Sequence, residues 1–196
     1  HEHAVGTLDE LHRLVLPGSN AEGYYFCAAA NLALDDGELD RALSLFCRAR
    51  SIAEVTGEPS INILARLGLS RYYRAKGDAC AARDWADDAL KLTTRIEYRH
   101  LQGIALIERA LAIWQSSDCQ TAEDELRAAI HVFAALEANF DLARAWFFLA
   151  ALRHEQKRND ADAAWLQAAT HITRGGYAFL LERERTLAFP LVAHYL

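Results

Sequence analysis

The sequence has few of the residues that interrupt helices and no excess of positive charge. Its 196 residues include 3 Pro and 10 Gly, and the formal net charge is −6. Lys and Arg are spread along the chain, which argues against the concentrated basic patch that a nucleic-acid-binding surface needs. No apolar run is long enough to span a bilayer, and no signal peptide is present. We therefore expect a cytoplasmic protein segment that contacts neither nucleic acid nor membrane.

Methionine is absent from the whole sequence, including position 1. Because a natural chain starts with methionine, we expect this sequence to be a piece of a larger protein. The four cysteines, Cys27, Cys47, Cys80 and Cys119, lie far apart and form no CxxC pair. A chain of this length needs no disulfide to fold, so we predict that they are reduced packing residues.

Sequence patterns of catalysis and cofactor binding are also missing. HExxH, GxxxxGK[ST], GxGxxG and GxSxG do not occur, and the histidines are scattered without a zinc-ligand spacing. His154 and Glu155 are adjacent, so on a helix their side chains point about 100° apart and make a poor site. We predict no catalytic residue, no metal site and no cofactor, and therefore no enzyme.

What the sequence does contain is a repeat of forty residues. Hydrophobic residues make up 52% of the chain, with Ala and Leu prominent, which is typical of an all-helical protein. When the sequence is written in rows of forty, small residues recur in columns. These columns are Ala30, Ser70, Ala110 and Ala150; Ala42, Ala82, Ala122 and then Asp162; and Ala49, Ala89, Ala129 and Ala169. A larger apolar column contains Phe46, Ala86, Leu126 and Leu166, and a turn column contains Gly37, Gly77, Ser117 and Lys157.

Each row has the pattern of a helical hairpin. Ala42, Phe46 and Ala49 are four and three residues apart and share one helical face, and Gly37 supplies the tight turn before them. Ser60 is the expected N-cap of a later helix, and Pro190 is expected to bend or end the last one. The predicted helices span roughly 5–15, 21–35, 38–56, 60–75, 78–94, 98–115, 118–137, 140–157, 160–174 and 176–188.

The predicted fold is an all-α solenoid of about four helical hairpins with a 40-residue period and flanking helices. The repeats are expected at about 21–60, 61–100, 101–140 and 141–180. No stretch has the composition of a linker, and a repeat array has one continuous core. We therefore expect a single domain over residues 1–196.

These columns resemble the tetratricopeptide repeat (TPR). That family places a large residue early in its first helix, then Leu and a small residue, a turn Gly, and an Ala-aromatic-Ala set on its second helix. The first row supplies Phe26, Ala30, Gly37, Ala42, Phe46 and Ala49, and the fourth supplies Trp146, Leu149, Ala150, Leu166 and Ala169. Arg66 and Arg109 depart from the pattern, and the period is 40 residues rather than the usual 34. The resemblance covers about residues 21–175.

Long repeats of this kind also resemble the helical-repeat region of large bacterial transcription regulators. These include the maltose-regulator type, with an ATPase and a LuxR-type DNA-binding domain, and proteins with a bacterial transcriptional activator domain. In such proteins the ATPase and the DNA-binding parts lie elsewhere in the chain, consistent with an acidic segment without methionine. The resemblance implies a sensor or scaffold role in transcription regulation, whereas the period alone indicates only the solenoid.

A stack of helical hairpins curls into a superhelix, and the first helix of each hairpin lines its concave side. The candidate groove residues are Tyr24, Asn31, Arg71, Arg74, Trp114, Arg144, Phe147 and His154. Arginines beside aromatic rings combine stacking area with forked donors for carboxylates, phosphates or hydroxyls. The alternative is that the polar residues only solvate this face and that Trp114 packs between hairpins. Trp85 and Trp165, on second helices, are expected to pack.

The sequence leaves two functions open. The first is an interaction or sensor module of a cytoplasmic bacterial transcription regulator, with a protein, a peptide or a small-molecule inducer in the groove. The second is a stand-alone TPR peptide-binding adaptor or assembly scaffold, in which Arg71, Arg74 and Arg144 hold acidic groups. The apolar C-terminal stretch LAFPLVAHYL also predicts homo-oligomerisation, because the end of a solenoid exposes apolar surface.

Overall fold

The computed structural model describes residues 8, 10 and 13–195, and within these residues the regular secondary structure is entirely α-helical. The helices are α1 (Asn20–Asp35), α2 (Leu39–Thr56), α3 (Pro59–Ala75), α4 (Ala79–Arg95), α5 (Arg99–Gln115), α6 (Cys119–Ala135), α7 (Asn139–Glu155), α8 (Ala161–Gly175), α9 (Phe179–Arg183) and α10 (Arg185–Tyr195). The predicted all-α fold of repeated helical hairpins is confirmed. The helix expected over 5–15 lies largely outside the described residues.

The helices end at a left-handed backbone position that recurs every twenty residues. These positions are Gly37, Gly57, Gly77, Glu97, Ser117, Glu137 and Lys157, with φ between 55° and 80°. At Gly37 and Gly77 the following amide donates back to the carbonyl five residues earlier, at 2.8 and 2.9 Å, which closes the helix C-terminus. The even spacing gives each hairpin two helices of nearly equal length, and this produces the 40-residue period.

The chain forms two compact units, residues 1–96 and 97–196. In the first, hairpin α1–α2 packs on hairpin α3–α4, and α1 also contacts α3. In the second, hairpin α5–α6 packs on hairpin α7–α8, α5 contacts α7, and α10 packs on α7. In both units the first helices of successive hairpins are therefore neighbours.

The small-residue columns form the centre of the core. Ten residues of these columns have no exposed surface. They are Ala30, Ser70, Ala110 and Ala150 in the first column, Ala42, Ala82 and Ala122 in the second, and Ala49, Ala89 and Ala129 in the third. Small side chains at these points allow helix backbones to approach closely, so that large side chains fill the space between them. Ser70 satisfies its buried hydroxyl by donating to the carbonyl oxygen of Ala82 at 2.8 Å.

Helix α8 departs from the predicted columns. Leu166 is 64% exposed, whereas Ala161, Ala164, Ala168 and Ile172 are buried. The expected core positions 166 and 169 are thus replaced by positions one or two residues earlier. The first buried residue of α8, Ala161, follows the turn residue Lys157 by four positions, whereas Ala42 follows Gly37 by five, so the packed face of α8 begins one residue earlier than the columns predict. The assignment of Leu166 to the core was wrong.

Two helix ends also differ from the prediction. Glu58, rather than Ser60, caps α3, because Pro59 takes the first helical position where its missing N–H costs nothing. The Glu58 side chain accepts from the Ser60 amide at 3.1 Å. The last helix does not end at Pro190, which lies within α10, and the C-terminal segment breaks at Glu184 instead. Burial of Ala188 and Leu191 on either side of Pro190 outweighs the one backbone hydrogen bond that proline removes.

We expect Glu137→Gly to raise the free energy of unfolding by about 0.5 kcal/mol. An L-residue in the left-handed region costs about 1 kcal/mol, and the greater freedom of glycine in the unfolded chain offsets part of the gain. The control Gly77→Ala has open space for its Cβ at a φ of 80°, and should lower stability by about 1 kcal/mol. Urea unfolding measures both, and shifts of the same sign would contradict this role of the turns.

We expect Gly68→Ala to lower the free energy of unfolding by about 2 kcal/mol, because the added Cβ would overlap the fully buried ring of Phe46. The double variant Gly68→Ala with Phe46→Leu should lose less than the two single losses added together. Thermal unfolding of all four proteins tests this, and additive losses would show that Gly68 and Phe46 are not coupled.

Candidate interaction surface

The first helices of the N-terminal unit carry a polar cluster on the face that α1 and α3 share. Arg71 of α3 donates one hydrogen bond to Oδ1 of Asn31 and another to Oδ1 of Asp35, the latter at 3.0 Å. The side chain of Arg71 is 15% exposed and that of Asp35 is 32% exposed. Asn31 is itself fixed, because its amide donates to the Cys27 carbonyl oxygen at 2.8 Å. The mostly buried guanidinium is thus held in one orientation, with a small part of the side chain exposed.

Tyr24 and Arg74 belong to the same pair of helices. Tyr24 of α1 is 41% exposed, and its hydroxyl lies 3.5 Å from Oε1 of Glu58, immediately before α3. Arg74 is half-buried in the last turn of α3. A partly exposed aromatic ring on α1 and two arginines on the neighbouring α3 provide both contact area and charged donors. Four of the eight predicted residues therefore lie on the α1–α3 pair.

Arg144, in the C-terminal unit, is buried rather than displayed. Its guanidinium pairs with Glu108 of α5 at 3.4 Å and with Asp141, one turn earlier on α7, at 3.2 Å. Asp141 also contacts Nε2 of His100 at 2.9 Å. A buried arginine that is shared by two carboxylates connects α5 to α7, and because it is already paired it is not available to hold an acidic ligand. The structure therefore places Arg144 in the core.

The remaining predicted residues occupy different environments. Phe147 has no exposed surface and packs edge-on against Phe148 with ring centroids 5.4 Å apart, so it belongs to the core. Trp114 is half-buried near the end of α5. His154 is half-buried, and its ring centroid lies 5.1 Å from that of His194 on α10. Of the predicted residues in this unit, Trp114 and His154 are half-buried, whereas Arg144 and Phe147 are buried.

The acidic partners of these arginines were missed in the sequence, although a spacing marks them. Asp35 and Arg71 are 36 residues apart, and so are Glu108 and Arg144. Thirty-six residues is one repeat less about one helical turn, which places the two side chains on facing turns of adjacent first helices. Opposite charges at this separation would have predicted both ion pairs.

A second ion cluster, centred on the buried Glu123 and Arg153, joins α6, α7 and the turn before α8. Glu123 is 3% exposed and accepts from Arg153 at 2.6 Å and from Arg158. Asp160 pairs with Arg158 at 2.7 Å and with Arg153 at 3.3 Å. Burial alone would raise the pKa of Glu123, but the hydrogen bond and charge of Arg153 and the charge of Arg158 hold that pKa below its usual range.

Two charged residues that depart from the repeat pattern, Arg109 and Glu125, form an ion pair with each other. Arg109, where leucine is usual, pairs with Glu125, which occupies the position of Trp85 and Trp165 in the other rows. The expected packing roles of both tryptophans agree with the contacts. Trp85 packs against the core cluster, and Trp165 stacks on Tyr195 with centroids 5.6 Å apart.

The cysteines occupy different kinds of position. Cys27 is buried, and burial raises the pKa of its thiol to about 12, so it is a packing residue as predicted. Cys47 and Cys80 are exposed, which corrects their assignment as packing residues, and Cys119 is half-buried. Cys47 follows the buried Phe46 by one position, so its side chain turns about 100° away from the buried face of α2.

Within the described part of the chain, no group of three His, Cys, Asp or Glu side chains has the arrangement of a metal site. No helix among these residues has the length and apolar character needed to cross a membrane.

Comparison with known proteins identifies the fold through structure alone. No family model and no curated protein sequence matches the chain. The apo form of RapI superposes with a TM-score of 0.64 at 12% identity, covering 91% of this chain and 61% of RapI. BtubC (BKLC) from P. vanneervenii superposes with a TM-score of 0.62 at 16% identity, covering 99% of this chain and 90% of BtubC. This chain thus spans less than two thirds of RapI.

A third solved structure names the repeat type. A putative kinesin light chain from Podosopora anserina, described as having nearly identical TPR-like repeats, has a TM-score of 0.56 at 15% identity. The match covers 89% of this chain and 86% of that one. At these identities the similarity shows the fold, and the chain has a TPR-like helical-repeat fold.

We expect Glu123→Gln to lower the free energy of unfolding at pH 7 by about 2 kcal/mol, because the buried Arg153 loses its main counter-charge. A carboxyl whose pKa is depressed by folding stabilises the fold above its unfolded pKa, and this contribution disappears as pH falls through the folded pKa. The difference between the two proteins should therefore be largest above about pH 5 and shrink below about pH 4.

The control is Glu54→Gln, which removes an exposed carboxylate paired with Arg50 and should cost less than about 0.5 kcal/mol at every pH. Urea unfolding between pH 3 and 7 measures all three proteins. A Glu123→Gln deficit that is independent of pH would show that packing, rather than charge, is what Glu123 contributes.

Proposed function

We propose that this chain is a non-catalytic interaction domain that binds a peptide or protein segment on the face shared by α1 and α3. The observation that supports it most directly is the fixed orientation of Arg71. Asn31 and Asp35 hold two of its five N–H donors from one side, which leaves three for an acceptor from a partner. A guanidinium that is already ordered loses little further entropy when it binds a carboxylate.

The neighbouring side chains suit an extended acidic or carboxylate-terminated segment. Tyr24 offers a partly exposed ring, and Arg74 adds a second positive charge within one turn of Arg71 on α3. Asp35 partly neutralises Arg71, so the positive charge that this surface offers an acidic partner is smaller than its two arginines alone would give. Arg144 and Phe147 take no part in this proposal, because both are buried.

We further propose that the domain acts as a sensor or scaffold within a bacterial cytoplasmic transcription regulator, with partner binding coupled to the assembly state of the larger protein. The 40-residue period and the resemblance to long-repeat regulators support this context. The alternative is a stand-alone peptide-binding adaptor, which uses the same α1–α3 face. A full-length gene that encodes the repeat array without an ATPase or a DNA-binding part would favour the adaptor.

Selection from a displayed library of random peptides, followed by fluorescence polarisation with the enriched peptides, tests the interaction. We expect Arg71→Ala with Arg74→Ala to weaken binding about tenfold or more, because charge-assisted hydrogen bonds are lost. The control, Arg41→Ala with Arg83→Ala, removes the same charge from exposed i,i+3 and i,i+4 pairs on second helices and should stay within about twofold.

Circular dichroism establishes that both double variants are folded before their affinities are compared. An equal loss of peptide affinity in the two double variants would show that only the overall charge matters, and would overturn the proposed surface. So would the failure of the selection to enrich any peptide.

A further inference from the structure

Trp85 of α4 lies between two guanidinium groups from neighbouring helices. Arg50 of α2 is 5.5 Å and Arg66 of α3 is 5.8 Å from the centroid of its ring. Trp85 is half-buried and packs against the core cluster of the N-terminal unit. The attraction of the ring for both cations helps to hold each arginine in place.

Arg66, but not Arg50, lines a cleft between α3 and α4. The cleft has a volume of about 340 Å³, and the residues around it are Asn62, Arg66, Asp88, Lys91, Leu92 and Arg95. Three cationic side chains therefore surround one carboxylate, which gives an excess of two positive charges. In a chain whose net charge is −6, this is a local reversal of sign.

Arg66 is the most ordered of the three cations. Its Nε donates to Oδ1 of Asn62 at 3.0 Å, while its Nη1 lies 3.5 Å from Oδ2 of Asp88. The side chain is 24% exposed. These two contacts leave three of its five N–H groups for another acceptor.

The single negative charge of Asp88 does not neutralise Lys91 and Arg95 in addition to Arg66. Its Oδ1 accepts from Nζ of Lys91 at 3.1 Å, so this half-exposed carboxylate is shared between Lys91 and Arg66. Arg95 follows Lys91 by one helical turn on the same side of α4. Arg95 is exposed and makes no ion pair with any residue that the structure describes.

We propose that this cleft binds a phosphate monoester. Such a group carries about −1.5 to −2 charges at pH 7 and offers three acceptor oxygens, which matches the excess charge and the free arginine donors. The volume admits the phosphoryl group together with the first atoms attached to it. Arg66 and Arg71 are five residues apart and point about 140° apart on α3, so this site lies on another face and goes beyond the proposed peptide surface.

Isothermal titration calorimetry with inorganic phosphate tests the site in the folded chain. We expect a dissociation constant in the millimolar range, on the order of that for a single small charged group. The affinity should increase from about pH 5.5 to 7.5 as phosphate loses its second proton, and it should decrease as salt is added. Glycerol 3-phosphate and a short phosphoserine peptide then distinguish a free phosphorylated metabolite from a phosphorylated side chain.

Arg50 provides a matched control. Arg66→Gln should weaken phosphate binding about tenfold or more, whereas Arg50→Gln, which removes the same charge and the other contact with Trp85, should stay within about twofold. Lys91→Gln with Arg95→Gln, which leaves Arg66 and Trp85 in place, should also weaken binding about tenfold.

Three results would overturn the proposal. The first is the absence of binding at about 20 mM phosphate, well above the expected dissociation constant. The second is an equal loss in Arg50→Gln and Arg66→Gln, which would indicate general charge attraction. The third is equally tight binding of succinate, a dianion that lacks the tetrahedral oxygens of phosphate. Each of these results is distinct from a failure of the proposed peptide-binding surface, because the phosphate experiments do not involve Arg71 or Arg74.

Discussion

The left-handed turn residue at every twentieth position is the constraint on which the rest of the fold depends. It ends each helix at nearly the same length, so that within each unit the next helix returns alongside the previous one. Three of these positions are glycines, Gly37, Gly57 and Gly77. The other four, Glu97, Ser117, Glu137 and Lys157, adopt the same range of φ at a cost in conformational free energy. Burial of the alanine columns stabilises the packing that imposes this conformation on residues other than glycine.

The same spacing decides where charge is buried. Because adjacent first helices are forty residues apart, side chains 36 residues apart face each other, as in Asp35–Arg71 and Glu108–Arg144. The two pairs have different consequences. Arg71 pairs with one carboxylate and its side chain is 15% exposed, whereas Arg144 pairs with two, Glu108 and Asp141, and its side chain is 10% exposed. One repeated geometry thus yields a candidate recognition residue in one unit and a core ion pair in the other.

The proposed functions both use arginines that the fold holds in place with a single acidic partner. At the α1–α3 face, Asp35 orients Arg71. In the α3–α4 cleft, Asn62, Asp88 and Trp85 orient Arg66. In each case the partner removes only part of the positive charge. An ordered and incompletely neutralised guanidinium is suited to binding an anion, because little side-chain entropy remains to be lost.

The sequence by itself determined the helical hairpins, their period and most of the buried columns, since glycine turns and the spacing of alanines act over a few residues. It did not reveal the shift of the packed face of α8, which exposes Leu166, because the first buried residue of that helix follows its turn residue by four positions rather than five. It also did not distinguish Arg71 from Arg144. Only the tertiary structure decided which arginine is buried, because burial depends on the carboxylates and helices that the fold brings against each side chain.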